Sequence, residues 1–184
     1  MPDNNRRTVI EQHVFRPSRR PTIPLPFGAR SVGCTKISKG AGVDIDPRNA
    51  IHVFWGLAGS GAFQVEDKQY SLAPGQIMFY LPGQRHHYWA TSDSWLLRLM
   101  SVDGEQAVTV FSAMGFGKKP WDAGPCPEDQ FKMLERQIRD PTPAGERAAC
   151  AIAFNILLRA AGGSPSGGPD FRVISRSVDL ISKN

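Results

Sequence analysis

Two adjacent histidines followed by two aromatic residues form the chemically most suggestive stretch of this sequence. His86 and His87 come just after a Pro-Gly turn and precede Tyr88 and Trp89, in the segment GQIMFYLPGQRHHYWA. Imidazoles can bind a metal or exchange hydrogen bonds with a ligand, and a phenol offers an apolar ring with one polar end. The stretch therefore indicates a metal site, the wall of a binding pocket, or ordinary packing.

The elements around this stretch are short apolar runs. From Ser31 to Val102 they are separated by turns rich in Gly and Pro, at the spacing of an all-β sandwich or barrel. After Asp103 the pattern changes to helices, the last of which has Thr142 as predicted N-cap and Pro143 at its first position. The sequence predicts a mainly β fold, a jelly-roll barrel, followed by two to three helices.

Composition shifts divide the chain into five predicted parts. They are an N-terminal arm (1–30), a barrel (31–103), a helical segment (104–161), a linker (162–170) and the start of a further domain (171–184). The linker, GGSPSGGPD, has the composition of a flexible connection. Because a new helical pattern follows it, we expect the chain to be a fragment of a longer protein.

An ordered set of glycines, prolines and aromatic residues carries a family resemblance. The set is Gly59, Gly61, Phe63, Val65, Tyr70, Leu72, Pro74, Gly75, Phe79, Pro82, Gly83, His86 and Tyr88. It resembles the N-terminal effector-binding domain of AraC-family transcription regulators, a double-stranded β-helix of the cupin superfamily. The resemblance covers about residues 20–160.

The resemblance implies a sensor without catalytic activity. Such domains bind a small effector, frequently a sugar, inside the barrel, form homodimers through the helices behind it, and control a C-terminal helix-turn-helix domain. Here the DNA-binding domain would begin within 171–184, so the chain alone is expected to contact no DNA. The resemblance also suggests that the arm folds over a bound ligand, although a disordered arm is an equal alternative.

The metal alternative has too few ligands. Cupin enzymes use a His-x-His and a glutamate from a first motif together with a second-motif histidine, whose place His86 occupies. Only His52 could contribute from the first motif, and no glutamate lies between Gly40 and Glu66. We therefore expect no metal and no cofactor. A small cupin enzyme, such as a metal-dependent isomerase or dioxygenase, and a structural cupin with a filled interior remain alternatives.

The pocket interpretation follows from strand alternation and from the resemblance. On strand 51–58, alternation places His52 and Phe54 on the face that lines the pocket in sugar-binding relatives. An arginine that holds the sugar there corresponds to Ala58 here, and two polar or aromatic contacts correspond to Leu97 and Leu99, so arabinose itself is disfavoured. The candidate ligand contacts are Tyr88, His52, Phe54, His87, Trp89, Trp95, Arg48 and Arg30. His86 is expected to be structural.

The last predicted helix is apolar almost all round. One stripe contains Ala149, Ile152, Ile156 and Arg159, and another contains Ala151, Phe154, Leu158 and Ala161. One stripe must pack on the barrel, and the resemblance implies that the other forms a two-fold dimer contact. We predict dimer contacts from Ile152, Ile156, Leu157 and Leu158; burial of both stripes within one protomer is the alternative.

Composition points to the cytoplasm. The net charge of +5 comes largely from arginines in the first twenty residues, which favours a solvated arm over a DNA contact. Three widely spaced cysteines fit a reducing compartment. The N-terminus has no apolar signal segment, and the longest apolar run is too short to cross a membrane.

Overall fold

The computed structural model describes residues 9–18, 22–117 and 119–163, so the predicted further domain and most of the predicted linker lie outside the described residues. Within these ranges the strands are β1 (Val9–Phe15), β2 (Gly28–Ser38), β3 (Gly42–Ile45), β4 (Ile51–Ala58), β5 (Gly61–Val65), β6 (Lys68–Leu72), β7 (Gln76–Tyr80), β8 (His86–Ala90), β9 (Ser94–Asp103) and β10 (Trp121–Asp122). The helices are α1 (Ala107–Ala113), α2 (Glu128–Arg139) and α3 (Pro143–Gly162).

The strands form two antiparallel sheets that enclose an apolar interior. The six-stranded sheet has the order β1-β2-β9-β4-β7-β10, and the four-stranded sheet has the order β3-β8-β5-β6. Sequence neighbours such as β4 and β5 lie in different sheets, which is the connectivity of a jelly roll. The predicted fold class, a mainly β jelly roll with C-terminal helices, is confirmed.

The six-stranded sheet has an apolar core on each face, one between the two sheets and one under the helices, and strand β4 contributes to both. Phe54 points into the space between the sheets, whereas its neighbours Val53 and Trp55 point to the opposite face and pack against the helices. Both faces of the strand are therefore buried, which explains its almost uninterrupted apolar sequence.

The helices cover the outer face of the six-stranded sheet. Phe131, Leu134 and Ile138 of α2 lie at helical spacing, three and four residues apart, and join the core of that face. At the start of α3 the hydroxyl of Thr142 accepts a hydrogen bond from the backbone N–H of Gly145 at 3.1 Å, and Pro143 occupies the first turn. Both predicted capping features are confirmed.

The arm is part of the sheet for much of its length. Residues Val9–Phe15 pair with β2 along seven positions, and β2 itself begins at Gly28, inside the predicted arm. Sequence alone did not reveal β1, because its partner strand lies some twenty residues further along the chain and three polar residues, Glu11 to His13, interrupt its apolar pattern.

A buried ionic cluster fastens the arm to the helices. Glu146, 1% exposed, lies 2.8 Å from the Arg30 guanidinium and 3.6 Å from that of Arg16. Its carboxylate also accepts hydrogen bonds from the backbone N–H and the hydroxyl of Thr22. Arg16 donates to the carbonyls of three residues at the junction between α2 and α3: Gln137, Asp140 and Thr142. We call Arg16, Thr22, Arg30 and Glu146 the arm cluster.

Helix α3 presents only one apolar stripe to solvent. Phe154 is 38% and Leu158 47% exposed, while Ile156 and Leu157 are fully buried in the core of their own protomer. The prediction that Ile156 and Leu157 form dimer contacts is therefore not supported by their position, because their side chains already pack beneath the sheet. Ile152 is partly buried against the same core.

The described helices also bear on membrane insertion: none of them combines the length and the apolar character that crossing a bilayer requires.

Candidate functional site

Polar side chains gather at one end of the barrel interior. Ser31, Ser101 and His52 are direct cross-strand neighbours on β2, β9 and β4, so their side chains share one face of the six-stranded sheet. His86 approaches this row from the four-stranded sheet, with its ring centre 4.5 Å from that of His52. We call Ser31, His52, His86 and Ser101 the polar end of the barrel.

The two serines of the polar end are tightly joined. The side-chain oxygens of Ser31 and Ser101 lie 2.6 Å apart, and both residues are only 4% exposed. Beyond Ser31 in the same row lies Phe15 of the arm strand, which is paired with Ser31 and 66% exposed. The arm thus places an exposed aromatic ring beside the barrel end that holds the buried hydroxyls.

The two histidines are neutral at physiological pH. Burial lowers the pKa of His52 to about 4, and electrostatic interactions with Arg48 and His13 act in the same direction. Burial, His52 and Arg48 likewise lower the pKa of His86 to about 4. Each ring therefore offers one donor and one acceptor nitrogen.

His86 has an unused hydrogen-bonding atom. Its ring stacks on Tyr80 at 4.4 Å between centres and the residue is 1% exposed, yet its Nε2 atom is buried with no hydrogen-bond partner among the described residues. A buried polar atom without a partner destabilises the fold unless something else satisfies it. A ligand bound at the polar end can supply that partner.

Tyr80 fixes the position of His86. Its hydroxyl lies 2.8 Å from the carbonyl of His87 and 3.0 Å from that of Gln64, and it accepts a hydrogen bond from the backbone N–H of His87 at 3.0 Å. Burial raises the pKa of this phenol, so the hydroxyl stays protonated. The contacts bind β7 to the opposite sheet and hold the start of β8 in place.

The middle of the barrel is filled by aromatic rings. Phe54 and Tyr88 lie 5.0 Å apart, Phe63 stacks on Tyr88 at 5.3 Å, and Trp95 contacts Phe63 edge-on at 5.3 Å. The structure thus brings together four of the predicted ligand contacts, Phe54, Tyr88, Trp95 and, next to them, His52. Tyr88 lies behind the polar end, in the wall of rings that closes it off.

The other predicted contacts lie elsewhere. His87 and Trp89 point to the outer face of the four-stranded sheet, where their rings are 5.0 Å apart and His87 is 3.8 Å from Asp44. Alternation along β8 requires this, because residues 86 and 88 point inward. Arg30 belongs to the arm cluster, where it also pairs with Asp103 at 2.7 Å.

Arg48 is exposed in the loop before β4, on the same side as the polar end. Its carbonyl accepts a hydrogen bond from the N–H of Gly83, in the turn that leads to His86, and its charge acts on both buried histidines. Ser31 and Ser101 are not among the predicted ligand contacts. Side chains alternate between the two faces of a strand, and Ile37 on β2 and Leu97 on β9 point inward. Every second residue from each of them also points inward, and this rule places both serines on the inner face.

Metal ligands are sparse in the part of the chain that the structure describes. No group of three or more His, Cys, Asp or Glu side chains there has an arrangement that could hold an ion. The pair formed by His52 and His86 thus lacks a described third ligand.

Comparison with solved structures gives distant matches, two of which are described as cupin proteins. One is a cupin 2 conserved barrel domain protein from Leptotrichia buccalis, with 10% identity, a TM-score of 0.42, and coverage of 53% of this chain and 42% of that one. A cupin superfamily protein from Desulfitobacterium hafniense has 11% identity, a TM-score of 0.42, and coverage of 52% and 78%. An HTH_3 family transcriptional regulator from Vibrio cholerae has 12% identity, a TM-score of 0.42, and coverage of 50% and 49%.

No curated protein matches the sequence significantly. The model of one protein family does match, over residues 50–153, which is more than half of the chain and includes β4 to β9 and most of the helical layer. That model describes the AraC-like ligand-binding domain, whose part in a regulator is to bind a small-molecule effector. The chain belongs to the family of AraC-like ligand-binding domains.

Proposed function

We propose that the chain is the sensing and dimerisation domain of a transcription regulator. Its proposed effector is a sugar or a related hydroxylated molecule. Binding of the effector would control a DNA-binding domain beyond residue 170. The observation that carries the proposal is the polar end of the barrel, where Ser31, Ser101, His52 and His86 converge beside the aromatic side chains of the interior. Convergent polar groups on an apolar wall are typical of small-molecule sites.

The chemistry of the polar end suits hydroxyl groups. A sugar hydroxyl both donates and accepts hydrogen bonds, as do a serine hydroxyl and a neutral imidazole. The aromatic rings of Phe54 and Tyr88 behind the polar groups offer an apolar surface to the face of a sugar ring. Phe15 of the arm could cover the ligand from the outside with a small shift of an exposed side chain.

The aromatic filling of the barrel also fits the alternative of a structural cupin with no ligand. Phe63 and Trp95 are fully buried, and rings in such a core leave little room. The polar end argues against that alternative, since a purely structural core has no use for an unpartnered imidazole nitrogen and a buried hydroxyl pair.

A thermal-shift screen tests the sensing function. We expect one class among mono- and disaccharides, uronic acids and related metabolites to raise the melting temperature by about 5–10 °C when present at about a hundred times its Kd. His52→Gln should remove the shift, whereas His87→Gln, the same change on the outer face of the barrel, should preserve it. A shift produced by divalent metals alone would contradict the proposal and support a metal-dependent enzyme.

The exposed stripe of α3 provides the proposed dimer contact. Phe154 and Leu158 lie one turn apart, so a two-fold pairing of α3 helices would bury both. We expect Leu158→Glu to convert a dimer into a monomer in light scattering after size-exclusion chromatography, because each interface would then bury two carboxylates. Arg147→Glu, on an exposed position of the same helix, is the control, and a wild-type chain that is monomeric at high micromolar concentration contradicts the dimer.

A further inference from the structure

Strand β1 forms an open edge of the six-stranded sheet. It comes first in the strand order and, among the described strands, pairs only with β2. The other three sheet edges in the described part of the chain are shorter, with two residues in β10, four in β3 and five in β6. The seven residues of β1, VIEQHVF, include neither lysine nor proline, which natural edge strands use to prevent pairing with another chain. Strand β1 is therefore the edge most open to a further strand.

The backbone of β1 has hydrogen-bonding groups directed at this open edge. Just beyond the strand, the N–H of Arg16 donates to the carbonyl of Arg30 at 2.9 Å. Because hydrogen-bonded and non-hydrogen-bonded pairs alternate in an antiparallel ladder, Val14 forms the next hydrogen-bonded pair with β2. The odd-numbered residues, such as Phe15 between these two, direct their N–H and carbonyl groups away from β2. An added antiparallel strand can bind these groups.

The sequence of β1 is complementary to itself in one antiparallel register. In this register Gln12 lies opposite Gln12 of a second copy of the chain. The remaining pairs join apolar residues to each other or an imidazole to a carboxylate: Phe15 with Val9, Val14 with Ile10, and His13 with Glu11. Such cross-strand pairs, apolar or hydrogen-bonding, stabilise a sheet. A two-fold axis at Gln12 makes each of these pairs occur twice.

The same register also satisfies the backbone. It places odd-numbered residues opposite odd-numbered residues, so that the edge-directed groups of both strands meet. An axis displaced by one residue, to Glu11 or to His13, would join the same backbone groups but would place two carboxylates or two imidazoles opposite each other. Of these three registers, the one centred on Gln12 is the one that matches both the backbone and the side chains.

We propose that β1 pairs with the same strand of a second copy about a two-fold axis at Gln12, which joins two six-stranded sheets into one. This contact is separate from the exposed stripe of α3 and does not depend on the sensing function. Seven residues per copy make a small interface, and small interfaces are weak. The contact therefore forms at higher protein concentration than the proposed α3 dimer.

The test uses the full 184-residue chain with Leu158→Glu, which removes the proposed α3 contact. Sedimentation equilibrium from low micromolar to about millimolar concentration should show a monomer that dimerises as the concentration rises. Gln12→Lys, at an exposed position, should raise the dissociation constant about fivefold, because it places two ammonium groups opposite each other at the axis. Gln69→Lys, the same change at an exposed position of the edge strand β6, is the control and should leave the constant unchanged.

Amide hydrogen exchange of the same chain supplies a second readout. The N–H of Phe15 should exchange quickly in the dilute monomer and slowly in the concentrated sample, whereas that of Val14, bonded to β2, should exchange slowly in both.

Three results would overturn the inference. The first is a chain that stays monomeric up to about millimolar concentration, and the second is an equal dissociation constant for Gln12→Lys and Gln69→Lys. The third is slow exchange of the Phe15 amide in the dilute sample, which would mean that another segment of the same chain covers the edge. None of these results bears on effector binding, which the thermal-shift screen measures separately.

Discussion

Replacement of Glu146 by alanine is expected to lower the free energy of unfolding by about 3–5 kcal/mol, the usual cost of removing one partner from a buried ion pair. For a chain of this length such a loss corresponds to a fall in melting temperature of about 6–20 °C. The measurement is urea unfolding followed by circular dichroism, supported by a thermal scan.

The size of this effect follows from what Glu146 holds together. Although burial alone would raise the pKa of Glu146, hydrogen bonds from Thr22 and Arg30 hold it below its usual value, so the carboxylate is charged. Its removal leaves the buried guanidinium of Arg16 without its counter-charge and takes from Arg30 one of its two carboxylate partners, the other being Asp103. The arm, β2 and α3 lose their common contact in a single step.

Glu135→Ala is the matched control. Glu135 lies on the same helical layer and pairs with Arg139 at 2.9 Å, but both side chains are substantially exposed, so this change should cost no more than about 0.5 kcal/mol. If Glu146→Ala costs no more than the control, the arm cluster does not contribute to stability as described.

The second large effect is a loss of stability in mild acid. The pKa values of His52 and His86 are about 4 in the folded chain and about 6.5 when unfolded. Above pH 6.5 both rings are neutral in the folded chain and in the unfolded chain, so proton binding does not lower the free energy of unfolding. As the pH falls from 6.5 towards 4, the unfolded chain binds protons that the folded chain excludes, so folding becomes less favourable.

The free energy of unfolding is expected to fall by about 2 kcal/mol per histidine between pH 6.5 and pH 5. A difference of one bound proton between the two states changes it by about 1.36 kcal/mol per pH unit. Urea unfolding at a series of pH values measures it. His86→Phe, which keeps a ring against Tyr80, should remove about half of the pH dependence. A stability that is flat from pH 7 to pH 5 would mean that the two rings are protonated as easily in the folded chain as in the unfolded one.

Much of the fold could be predicted because its signals are local. Thr142 and Pro143 mark the start of α3 by the chemistry of a helix N-terminus, and β4 was located to the residue by its apolar run between turns. The pairing of β1 with β2 was missed because it depends on contacts between distant residues. The burial of Glu146 was missed for the same reason: its partner Arg16 lies 130 positions earlier, and a glutamate in a first helical turn normally faces solvent.

The candidate site was predicted in part. Strand alternation correctly placed His52 and Phe54 inside the barrel, but grouping His87 and Trp89 with Tyr88 ignored the same rule on β8. Ser31 and Ser101 carry no individual signal, since serines are common on strands. What makes them part of a site is the register that brings them within 2.6 Å of each other across two strands.

Strand β4 contacts the barrel interior with one face and the helical layer with the other. His52 and Phe54 border the polar end, while Trp55, on the reverse side of the same strand, packs on Phe131 of α2 and donates a hydrogen bond to the carbonyl of Gly124 at 3.0 Å. Residues adjacent on one strand therefore belong to the candidate site on the inner face and to the contact with α2 on the outer face.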